Sequence, residues 1–105
     1  MKVTAWKNGK GHSQTTYYGV KLTVADRDSV MQSGRATVTI ELGDSARVAK
    51  VNIAKDSFEN DTCRELIHRD IGIWLKELGL VPWPTGQPPK LSLVRISDGR
   101  YRLTR

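Results

Sequence analysis

The chain has one cysteine, one phenylalanine and two histidines in 105 residues. A lone cysteine cannot close an intramolecular disulfide, so the sequence predicts a reducing, cytoplasmic setting. One cysteine and two scattered histidines also fall short of the three or four soft or imidazole ligands that zinc takes, so neither a metal nor another cofactor is expected. No run of about eighteen apolar residues occurs, which argues against a helical membrane span. Met1 leads into a mixed polar segment, which predicts no secretory signal. Apolar residues make up only 38% of the chain, so a thin core under a large polar surface is expected. Their regular patterning argues against disorder. There are no internal repeats, and the length suits a single domain over residues 1–105.

Acidic residues are missing from both ends. Lys2, Lys7, Lys10 and Lys21 precede Asp26 with no acid among them. From Gly79 onward Lys90, Arg95, Arg100, Arg102 and Arg105 face only Asp98. The middle of the chain is slightly acidic, and the whole carries a net charge of +6. If the two ends lie side by side in one sheet, they form a basic surface that suits an anionic partner, most commonly nucleic acid. A basic surface that only keeps the protein soluble is the plainer alternative.

Helix and strand periods organise the rest. The clearest helix signal runs from Thr62 to Leu78. Thr62-Cys63-Arg64-Glu65 has the form of a capping box, and Cys63, Ile67, Ile71, Trp74 and Leu78 recur at helical spacing. Leu66 and Leu75 widen that stripe. Gly79 reads as a left-handed cap, Leu80 as its fold-back contact, and Pro82 as a stop. Strands are predicted over Lys2–Lys7, Gln14–Val24, Ala36–Leu42, Ala46–Ala54, Lys90–Ile96 and Arg100–Arg105. Ala25–Ser29 reads as a turn or one helical turn. In the fourth strand Ala49, Val51 and Ile53 point inward, with Arg47, Lys50 and Asn52 on the other face. Asp98-Gly99 is a hairpin signal. All four prolines fall within Pro82–Pro89, a stiff connector that Trp83 can anchor. These elements predict an α+β, mainly β fold: a small, mostly antiparallel barrel or pseudobarrel plugged by one main helix over about residues 62–78.

Catalysis finds little support. His12 beside Ser13 lacks an evident orienting acid, and adjacent residues rarely give in-line geometry. Cys63 lies on the apolar stripe and reads as a small core residue. Asn8-Gly9-Lys10-Gly11 lacks the spacing of a phosphate loop. The expectation is therefore a protein that is not an enzyme. Two polar segments remain. The first offers Lys7, Asn8, Lys10, His12 and Gln14; the second offers Arg47, Lys50, Asn52, Lys55, Ser57 and Asn60. These are the side chains that hold phosphates and read base edges. Trp6, Tyr17 and Tyr18 flank the first segment and can stack on bases, although sheet packing is the favoured reading for all three.

The basic strand Ala46–Ile53, the polar loop after it, the helix end Trp74-Leu75-Lys76-Glu77-Leu78-Gly79-Leu80 and the strand Leu91-Ser92-Leu93 follow one another in order. Together with Tyr18–Leu22 and Ala25–Asp28, this stretch of about Thr16 to Leu93 resembles B3-type DNA-binding pseudobarrels, as in plant transcription factors and restriction-enzyme effector domains. The resemblance implies two arms gripping a DNA major groove, carried here by Lys7–Gln14 and Lys50–Asn60. The chain departs from that family at Pro82–Gly86, where a Gly-Asp pair is usual, and it is short for seven strands and two full helices. Nucleic acid, with DNA favoured over RNA, is thus the expected partner. A protein-interaction module anchored by Trp83 and a small nuclease or toxin built on His12 are the alternatives.

Overall fold

The computed structural model describes residues 1–7, 18–31, 36–53 and 64–105. Among the described residues there are seven strands: β1 (Lys2–Lys7), β2 (Tyr18–Lys21), β3 (Thr37–Leu42), β4 (Val48–Asn52), β5 (Glu65–Ile67), β6 (Lys90–Ser97) and β7 (Arg100–Thr104). They form one sheet in the order β4-β3-β7-β6-β1-β2-β5, nearly closed into a barrel. Every pairing is antiparallel except β3 with β7. Two helices accompany the sheet among the described residues, α1 (Val24–Met31) and α2 (Arg69–Glu77). The mainly β, mostly antiparallel barrel expected from the sequence is the fold observed, and 105 residues suffice for seven strands because the strands and helices are short.

Strand alternation builds the core. Val3 and Ala5, Val38, Ile40 and Leu42, Ala49 and Val51, Leu91 and Leu93, and Tyr101 and Leu103 all point into the barrel and are buried. The returning hairpin Asp98-Gly99 forms as expected, with Gly99 at φ 74° and a register shift between Arg95 and Ser97. Helix α2 buries Ile71, Gly72, Trp74 and Leu75. It packs against β2 and β4, near the two ends of the sheet order, and so closes the gap between them. Its C-terminus has the expected form. Gly79 adopts φ 71° and donates to the Lys76 carbonyl at 3.0 Å, while the Leu80 amide reaches the Leu75 carbonyl at 3.0 Å.

The start of that helix differs from the sequence expectation. Glu65–Ile67 is strand β5, paired with β2, and the helix begins only at Arg69. Of the predicted capping box, Glu65 lies in a strand with its carboxylate accepting from the Arg64 amide at 2.6 Å, and Thr62 and Cys63 lie outside the described residues. His68 is the cap instead, extended at φ −158°, ψ 143°, with Nδ1 accepting from the Asp70 amide at 3.0 Å. The physical reason is the open edge of β2, whose Gly19, Val20 and Lys21 need partners. Pairing there outweighs the local helical period. Leu66 still reaches the core, but from a strand.

The second predicted strand is also shorter. It keeps Tyr18–Lys21, and Gln14–Tyr17 lie outside the described residues. Val24 is not an inward strand residue; it is 56% exposed and opens α1. The expected single turn is thus an eight-residue helix. Thr23 caps it, its hydroxyl accepting from the Asp26 amide at 3.1 Å. Val30 and Arg27 of α1 are buried, so among the described residues α1 joins α2 in completing the fold.

Candidate nucleic-acid interface

The two basic ends of the chain meet in the sheet. β1 pairs with β6, and β6 with β7, so strands from the first and last parts of the chain are neighbours. Their inward residues fill the core, which turns Lys2, Thr4 and Trp6, then Lys90 and Ser92, then Arg100 and Arg102 to the outside. Lys21 of β2 stands opposite Thr4 and extends the row.

Arginines and lysines on this surface behave differently. Glu41 of β3 binds both arginines of β7: Arg100 Nε donates to one carboxylate oxygen at 2.6 Å, and Arg102 Nη2 donates to the other at 2.8 Å. Arg47 makes a two-pronged contact with Glu77 at 2.8 and 3.2 Å. Arg95 lies 3.5 Å from Asp98, and Arg27 donates to Asp28 at 2.6 Å. Among the described residues no lysine enters an ion pair. Much of the arginine charge is locally compensated, and the lysine charge is left facing solvent.

The Glu41 pair has a pH consequence. Hydrogen bonds from Arg102 and then Arg100 hold its carboxyl below the usual value of 4.5. A lowered folded-state value stabilises the fold above the usual carboxylate range, and that contribution is lost as pH falls through the folded value. Glu41→Gln is therefore expected to lower Tm at neutral pH and to flatten the acid side of the Tm profile. The wild-type and variant curves should converge once the pH has fallen below the folded-state value. Parallel curves in thermal melts from neutral to acid pH would contradict the assignment.

The predicted site residues fall into three groups. Asn8, Lys10, His12, Gln14, Lys55, Ser57 and Asn60 lie outside the described residues. Lys7, Lys50 and Asn52 are on strands. Lys7 ends β1, half-exposed, beside a cleft of about 240 Å³ shared with Tyr18, Pro82, Trp83, Thr85 and Gly86. Lys50 and Asn52 point outward from β4, opposite Thr39 and Thr37. In the sheet order β6, β7 and β3 lie between Lys7 and these two on one side, and β2, β5 and the gap closed by α2 on the other. Arg47 is the third case. It precedes β4, Val48 takes the outward position assigned to it, and its guanidinium is committed to Glu77. The strand starts two residues later than Ala46, and strict alternation with inward Ala49 and Val51 puts Val48, not Arg47, on the outer face.

The aromatic residues sort cleanly. Tyr18 is buried, with Trp83 packed edge-on to it at 5.7 Å between ring centroids. Trp83 also packs against the core, which fits a connector anchored inward. Trp6 is half-exposed on the outer face. Lys2, Lys21 and Lys90 were not singled out by loop chemistry; the alternation of Lys2, Thr4 and Trp6 with Val3 and Ala5 was the signal that could have placed them. Among the described residues no group of three or more His, Cys, Asp or Glu side chains is placed to hold a metal ion, and no helix is long and apolar enough to cross a membrane. In comparisons with known proteins, no family model, no curated protein and no solved structure matches this chain.

Proposed function

We propose that the protein is a nucleic-acid-binding module without enzymatic activity, acting in the cytoplasm and taking double-stranded DNA through the segments that begin at Lys7 and at Lys50. The observation that carries this reading is the uncompensated lysine charge on a sheet in which the two basic chain ends are neighbours. Lysine ammonium groups free of carboxylate partners are available to phosphates and release condensed counterions when they bind. The resemblance of residues 16–93 to B3-type domains adds to it, since such a domain is a pseudobarrel and this sheet is nearly closed into a barrel. Contacts carried by different strands, β1 and β4, suit an extended polyanion better than a small ligand.

The test is titration of a fluorescein-labelled duplex of mixed sequence at about 50 and 200 mM salt. With four lysine–phosphate contacts, affinity is expected to fall about a hundredfold across that range. No measurable duplex binding at the lower salt would overturn the reading.

A further inference from the structure

We propose that the outer face of β6, β1 and β2, centred on Trp6, is a binding platform for single-stranded nucleic acid, separate from the duplex contacts proposed above and not dependent on them. Trp6 lies on the side of β1 opposite to the buried Val3 and Ala5, and it is not among the residues packed against the core. Its cross-strand neighbour on β2 is Gly19, and beyond Gly19 stands Ile67 of β5. The position beside the indole therefore carries no side chain. Gly19 is itself buried and Trp6 partly exposed, so no β2 side chain at that position covers the indole.

Cations surround it. Thr4, the preceding outward residue of β1, stands between Lys90 of β6 and Lys21 of β2 in one cross-strand row. Lys2 follows on the same face of β1, whereas Lys7, next after Trp6, turns to the other face beside Tyr18 and Trp83 and is not part of this platform. Lys90 donates to the Thr4 hydroxyl at 2.7 Å, which holds its stem across β1. Among the described residues the one acid on this part of the face is Glu65, across from Lys21 on the edge strand, with its carboxylate accepting from the Arg64 amide. An indole among three lysines and one acid of the described residues matches the chemistry of a base stacked on an aromatic with its phosphates on neighbouring cations. A duplex does not offer this: its bases are covered on both faces by their neighbours. An unpaired base has a free face, and charge complementarity with the lysines selects a polyanion over an apolar protein segment.

The experiment compares the whole chain with Trp6→Ala, Trp6→Phe and the triple variant Lys2→Ala, Lys21→Ala, Lys90→Ala. Binding to a short labelled oligodeoxythymidine and to a labelled duplex is read by anisotropy over a range of salt, with thermal melts on every protein. Trp6→Ala is expected to lose about tenfold or more in affinity for the single strand and to keep duplex affinity, whereas Trp6→Phe retains most of both. The triple variant should reduce the slope of log affinity against log salt by about 2 on the single strand. If Trp6→Ala proves poorly folded, the triple variant and Trp6→Phe decide. Three results would each overturn the proposal: no oligodeoxythymidine binding by the wild type, unchanged single-strand affinity in folded Trp6→Ala and in the triple variant, or equal loss of duplex and single-strand binding.

Discussion

Gly19→Ala is expected to destabilise the protein by about 2–3 kcal/mol, at the upper end of the usual cost of overpacking. Gly19 sits in β2 between β1 and β5, and a Cβ added there would lie 2.4 Å from the Leu66 carbonyl oxygen and 3.1 Å from the Ile67 Cα. Both obstacles are backbone atoms, so no side chain can rotate away. The short strand β5 has to shift, and β5 holds Leu66 in the core and leads through His68 into α2. The change thus loosens a strand pairing and the approach to the helix that closes the barrel. Urea unfolding with a lowered midpoint and an unchanged m-value is the expected signature. A loss below about 0.5 kcal/mol would mean that the strands do not approach this closely.

The same region shows where sequence reading reaches and where it stops. β1 and the β6–β7 hairpin were legible because their signals are local: a weak alternation in Lys2–Lys7, and Asp98-Gly99 between two strand patterns. The end of α2 was legible for the same reason, since Gly79 and Leu80 complete a cap with their immediate predecessors. Its start was not. Thr62 and Glu65 satisfy the capping rule, yet residues 65–67 belong to a strand because a distant segment, β2, needs a partner on its open edge. A histidine cap such as His68 gives no comparable signal. Helix α1 was underestimated because Val24 continued the alternation of Tyr18, Val20 and Leu22 past the point where Thr23 begins a helix.

For the candidate site, charge was legible and placement was not. The concentration of lysine and arginine at the two ends anticipated neighbouring strands. Which cations are compensated depends on partners far away in the chain. Glu41 reaches Arg100 and Arg102, and Arg47 reaches Glu77; no local pattern in the sequence announces either pair. Trp6 and Tyr18 look alike as aromatic residues flanking one loop, but the pleat sends one outward and the other into the core.

Changing Lys7, Lys10, Lys50 and Lys55 together to alanine is expected to have the largest functional effect. Each lysine–phosphate contact contributes about 0.9 to the slope of log affinity against log salt on duplex DNA, so four contacts account for a slope change of about 3 to 4. Lys50 lies on an exposed outward position of β4 and Lys7 is half-exposed at the end of β1, so replacing these two removes charge with little loss of packing. The fold should survive, with Tm close to wild type. Duplex binding measured over a salt series therefore tests the central claim most directly. The account predicts a folded quadruple variant whose affinity at about 50 mM salt is down by tenfold or more and whose salt dependence is much flatter. A folded variant with the affinity and slope of the wild type would contradict it.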